Sequence, residues 1–87
     1  GASAYANARF IALARNAFDV MMRRRWGVST FDGASWHVRG IIFPEGFQIK
    51  PEHDRVRSPF GADPFTALVE ADKWYRENVE TKQEAAS

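Results

Sequence analysis

Trp26-Gly27-Val28-Ser29-Thr30-Phe31-Asp32-Gly33-Ala34-Ser35-Trp36-His37-Val38-Arg39-Gly40-Ile41-Ile42 is the stretch on which the fold turns. Trp26, Val28 and Thr30 alternate with small or polar residues, and Trp36, Val38, Gly40 and Ile42 alternate again beyond Asp32-Gly33. A period of two interrupted by Asp-Gly is the signature of a β-hairpin. Parity then selects the loop. A two-residue Asp32-Gly33 turn would set Val28 opposite His37 and mix the two faces. A three-residue loop, Asp32 to Ala34, sets Val28 opposite Val38 and Thr30 opposite Trp36, and a slip of one residue would undo that match. The odd loop is therefore expected, with Trp26, Val28, Val38 and Ile42 facing the core. Phe31, His37, Arg39, Ile41 and Phe43 then point the other way.

After the hairpin, Phe43-Pro44-Glu45-Gly46 reads as a turn with Pro second and Gly fourth. Phe47 to Lys50 alternates again, predicting a third strand closed by Pro51. Before the hairpin, Ala4 to Arg25 predicts a long helix. Phe10, Ala14, Ala17, Phe18 and Met21 recur at spacings of three and four, with Ile11, Leu13, Val20 and Met22 widening the stripe. Such a helix runs ~33 Å, and Gly27 is the expected left-handed residue at its end. Gly1-Ala2-Ser3 lacks a Met and reads as a cloning remnant outside the fold.

Residues 51–62 have no clear period and form a long connection, pinned by Val56 and Phe60, with Arg55-Val56-Arg57 as the place for a short fourth strand. Asp63-Pro64 is an N-cap followed by Pro at the first helical position, which predicts a helix from Pro64 to about Glu80. Phe65, Leu68, Ala71 and Tyr75 lie along one side, with Val69, Trp74 and Val79 beside them. Asp72–Arg76 and Lys73–Glu77 are expected as i, i+4 pairs on the wet side. Residues 81–87 are expected to fray. The expectation is one α+β domain over 1–87: helix, three-stranded antiparallel meander, helix, with both helices on one face of the sheet.

The chain has 87 residues and is 45% hydrophobic. Ala supplies much of that fraction and Leu occurs only at 13 and 68, so the core leans on a few rings of ~150–250 Å² each. There is no Cys, which excludes disulfide staples and thiolate zinc sites. No apolar run approaches the ~20 residues that span a bilayer and no signal-peptide pattern is present, so a soluble cytoplasmic protein is the expectation. Residues 1–43 carry six Arg against two Asp, a balance of +4, and residues 44–87 carry six basic against nine acidic residues, a balance of −3. Either the halves attract each other within the fold, or the surface is polarised and steers partners.

Little here carries chemistry. His37 and His53 are the only imidazoles, and zinc would need both together with carboxylates. Ser29, Ser35 and Ser58 lack a strained nucleophile elbow. Glu52 and Asp54 read as loop polarity, and the glycines form no phosphate cradle. The reading is a protein that is not an enzyme and uses no metal or cofactor. Binding residues are a different matter. Arg23, Arg24 and Arg25 complement the negative end of their helix or form an anion patch, although three consecutive helical residues diverge around the circumference. The outer hairpin face, with Phe31, His37, Arg39, Ile41 and Phe43, mixes rings and cations that suit a protein interface or base stacking, unless residues 51–62 cover it. The expectation is a protein–protein interaction module acting as an inhibitor or adaptor on a larger assembly. The alternatives are a DNA- or RNA-binding domain using these arginines with Arg55 and Arg57, and a homodimer built on the open sheet face.

The order α-β-β-β-α resembles the double-stranded-RNA-binding domain. The chain departs from that family at the start of the last helix, where Asp63-Pro64-Phe65-Thr66, followed by Glu70 and Asp72, stands in place of a Lys-rich segment. That departure removes the part that grips phosphate. Over residues 26–79, the hairpin with Phe65, Glu70-Ala71 and Trp74-Tyr75 resembles the sheet-and-helix DNA-binding module at the front of phage integrases. The general texture is similar to small proteins of phages and mobile elements, among them anti-CRISPR inhibitors.

Overall fold

A computed structural model describes residues 2–48 and 60–81, with backbone alone for residues 2–6. It is a small α+β domain of two helices and an antiparallel hairpin. Helix α1 spans Ala2–Arg24, strand β1 Gly27–Thr30 and strand β2 Trp36–Arg39. Helix α2 spans Pro64–Tyr75 and widens into a π-helical turn over Arg76–Glu80. Helix α1 thus begins at Ala2, two residues before the expected start at Ala4.

The helix ends follow local chemistry. Asp63 caps α2 as its spacing predicted: its carboxylate accepts the Thr66 N–H and the Thr66 hydroxyl, each at 2.8 Å. The end of α1 differs from expectation. Arg25, not Gly27, takes the left-handed conformation (φ 61°), and the Trp26 N–H donates to the Met21 carbonyl at 3.2 Å. That six-to-one bond is the Schellman closure, and it frees Gly27 to begin β1.

The hairpin has the register that parity selects: Val28 opposite Val38, Ser29 opposite His37, and Thr30 opposite Trp36. Pairing stops there, so Phe31 to Ser35 form the loop. Asp32 organises it by accepting the N–H groups of Ala34 (2.9 Å) and Ser35 (2.8 Å). The Thr30 hydroxyl accepts from Gly33 N–H and donates to the Ser35 carbonyl, both at 2.8 Å. The backbone bonds from Ser35 and Ala34 hold the Asp32 carboxyl below its ordinary pKa.

Beyond Arg39 the alternation breaks. Gly40 has φ +90°, a left-handed twist that reverses which residues face inward. Ile41 and Phe43 pack against the core, whereas Ile42 is 80% exposed. The expected assignment of these three residues is thus inverted. The following turn sits one residue later than predicted: Phe47 N–H donates to the Pro44 carbonyl at 3.1 Å, which puts Gly46 (φ +88°) at the position where a positive φ is required. The turn brings Phe43 and Phe47 into a stack, with ring centroids 4.9 Å apart.

Among the described residues the sheet has two strands, not three. Phe47 and Gln48 are outside any strand, and Ile49 and Lys50 lie outside the described residues. The far side of β2 is met instead by Phe60-Gly61. Trp36 N–H donates to the Gly61 carbonyl and Phe60 N–H to the Trp36 carbonyl, both at 3.0 Å. The connection through 51–59, with the short strand expected at 55–57, and the tail from Lys82 to Ser87 also lie outside the described residues. Thr81 is tied, its hydroxyl donating to the Arg76 carbonyl at 2.6 Å.

Helix α2 is the centre of the domain, packing against α1 and against both strands. Its Ala67, Leu68, Ala71 and Trp74 join Val79, Ala17 and Val20 of α1, Trp26, Val38 and Phe60 in the core. Phe10 meets Phe65 edge-on at 5.4 Å, while Arg24 reaches Asp72 and Glu80, so the two helices run side by side in the same direction. The Gly40 twist presses on the end of α1: a Cβ added at Gly40 would lie 3.3 Å from the Arg25 carbonyl oxygen. Gly40→Ala is expected to cost about 1–3 kcal/mol, while Gly46→Ala, where a Cβ meets nothing within 4 Å, should cost less. Thermal melts of both variants check the order, and equal melting temperatures would refute it.

Candidate interaction surface

The arginine triplet does not form one patch. Arg24 is folded inward: its Nε donates to Asp72 and its Nη2 to Glu80. Its guanidinium lies 5.1 Å from the Trp26 ring centroid and 4.7 Å from that of Tyr75, a cation–π contact with each of two rings that themselves meet edge-on at 5.6 Å. Arg23 reaches the same Asp72 more distantly, at 3.4 Å, and lies 3.4 Å from Asp19 on its own helix. Arg25 is exposed at the left-handed position. Arg24 has two of its guanidinium nitrogens already engaged within the fold and is turned away from a site shared with Arg25.

Asp72 is the residue that sequence reasoning misplaced. Assigned to the wet side of α2, it is only 5% exposed, accepts from Arg24 and from Arg23 at 3.4 Å, and forms an ion pair with Arg76 at 3.1 Å. Burial alone would raise its carboxyl pKa. The Arg24 hydrogen bond and the charges of Arg24, Arg23 and Arg76 outweigh burial and hold the pKa below the ordinary value. For Arg24, likewise, burial works downward and the bonds to Asp72 and Glu80 more than offset it. The signal was present in the sequence: an acidic residue at the edge of the apolar arc of α2, with three cations elsewhere in search of a partner.

The π turn completes this cluster. It holds more residues per turn than an α-helix, so a residue four places on lags behind its predecessor rather than leading it. Glu80 therefore stays on the Asp72 side, where Arg24 can span both, and Val79 is carried into the core with no exposed surface. Tyr75 sits at the junction and donates its hydroxyl to the Ile42 carbonyl at 2.8 Å.

The outer hairpin face keeps three of its five expected residues. Phe31 is 96% exposed at the loop, its ring edge-on to His37 at 5.9 Å, and Arg39 is exposed on the same side of the ladder. Ile41 and Phe43 are not part of it. Phe43 stands against Phe47, Trp74 and Tyr75, and Ile41 packs on the core. Arg55 and Arg57 lie outside the described residues.

A second surface was read as core and is not. Phe10, Ile11, Phe18 and Met22 of α1 are 55%, 51%, 60% and 62% exposed. The apolar arc of α1 is wider than one helix can cover, and α2 covers only the part that carries Ala17 and Val20. Among the described residues no cluster of three or more His, Asp or Glu could hold a metal ion, and no helix is long and apolar enough to cross a membrane. The chain matches no protein family model, no curated protein and no solved structure.

Proposed function

We propose that the protein is a non-catalytic protein-binding module, a small inhibitor or adaptor that works in the cytoplasm and docks on a larger partner through the outer face of its hairpin. The supporting observation is Phe31: a large ring 96% exposed on a loop held by four hydrogen bonds from Asp32 and Thr30. A ring presented by a rigid loop loses little conformational freedom on binding, which is what makes an effective anchor. Arg39 and His37 beside it supply a polar rim. The lack of Cys suits a reducing compartment.

Phe31→Ala removes no core contact and is expected to leave stability within about 0.5 kcal/mol. A photo-crosslinker placed at position 31 in the native host should capture a protein, and Arg39→Glu should weaken the capture. A Phe31→Ala variant that melts well below the wild type would show the ring to be structural and end this reading. The same ring-and-cation face favours single-stranded nucleic acid as the second reading. Anisotropy titrations with oligonucleotides at two salt concentrations separate the two, since phosphate contacts make affinity fall steeply with salt.

A further inference from the structure

We infer that α1 pairs antiparallel with α1 of a second copy of this chain, about a two-fold axis level with Asn16. Ile11, Phe18 and Met22 lie within about 40° of one another around the helix, and Ala14 adjoins them. All but Ala14 are more than half exposed. A two-fold interface demands a patch complementary to itself, and this one reads alike in both directions. Turned about Asn16, Phe18 of one copy lies over Ala14 of the other, large against small, and Ile11 falls within one residue of Met22 along the axis. Each pairing occurs twice.

The flanking charges fit the same arrangement. Arg15 and Asp19 stand on one edge of the stripe, and reversal brings Arg15 of each copy within about one helical turn of Asp19 of the other. Asp19 can take part: its side chain is 70% exposed, and it holds only an exposed i, i+4 pair with Arg23 at 3.4 Å, which is weak. A lipid surface would favour cations along that edge, not one of each sign. The exposed apolar area, roughly 300–400 Å² including the Phe18 ring, equals the largest patch on a typical monomer, which is often functional. With its charged margin it approaches the ~800 Å² that each partner of a standard interface contributes. The hairpin face remains open in such a dimer, so this inference does not depend on the reading given above.

Sedimentation velocity of the full chain from micromolar to millimolar concentration tests it. The wild type is expected to dimerise, and Phe18→Glu to weaken self-association by roughly 30-fold or more. Circular dichroism checks that the variant folds, and Met22→Glu serves if it does not. Arg15→Asp and Asp19→Arg should each weaken the dimer, and mixing these two single variants should restore it, because each then meets the opposite charge. A wild type that stays monomeric throughout overturns the pairing. So does a dimer indifferent to Phe18→Glu, a mixture that fails to recover, or a monomer that floats with anionic lipid vesicles.

Discussion

Trp74→Ala is expected to lower the unfolding free energy by about 3–5 kcal/mol, the cost of deleting a buried ring and leaving a cavity. Trp74 is 7% exposed and meets Phe43 and Phe60 edge-on, with centroids 6.2 and 6.4 Å away. These rings come from three separate parts of the chain: the segment after β2, the approach to α2, and α2 itself. Removing the central one is expected to loosen all three. A domain of this length has only ~4–13 kcal/mol in hand, so the variant should be near its unfolding midpoint in mild urea. Trp74→Phe, which keeps a ring, should recover much of the loss. Urea melts followed by circular dichroism measure both, and a Trp74→Ala cost below about 1 kcal/mol would mean that the aromatic cluster does not hold the segments together.

Asp72→Asn is expected to cost about 3 kcal/mol, because it leaves Arg24 largely buried without its main carboxylate. Asn has the same shape, so the loss reports charge and not volume. Replacing both partners, as in Arg24→Met with Asp72→Leu, should cost less than the single change, since no charge is then stranded. The pH dependence follows from the sign of the shift. The folded carboxyl lies below its ordinary value, so the folded state binds fewer protons than the unfolded one as acid is added. The stabilisation is therefore fully present above about pH 4, the unfolded value, and is lost as pH falls through the lower folded value. The wild type should thus lead Asp72→Asn by its full margin at neutral pH and converge on it in acid. Asp32 and Asp63 are also lowered, but they are common to both proteins and cancel in the difference. A margin that does not shrink in acid would remove Asp72 as the origin of the effect.

What the sequence disclosed and what it hid divide along physical lines. The hairpin register was legible because Val28 and Val38 must share a face, and the α2 cap because Asp-Pro states its geometry locally. Alternation could not be carried past Gly40, since a positive φ reverses the faces without altering hydropathy. Phe47 to Lys50 had the period of a strand, but the open side of Trp36 was taken by Phe60-Gly61, a pairing with no periodic signal. The apolar arc of α1 was visible; which part α2 would cover was not, and so Phe10, Ile11, Phe18 and Met22 were read as core. The divergence of Arg23, Arg24 and Arg25 was foreseeable from helix geometry, whereas the buried carboxylate that captures Arg24 came from 48 residues further along.

That last separation bears on how the domain forms. Because α1 and α2 run in the same direction, the chain must travel back the whole length of the helix before the second can lie beside the first. The contacts joining them span 48 and 56 residues. Closing so large a loop costs entropy before any contact repays it, and chains rich in distant contacts fold slowly. The hairpin with α2 is the more local unit and should assemble first, so that α1, made at the start of the chain, is the last to dock and the first to detach.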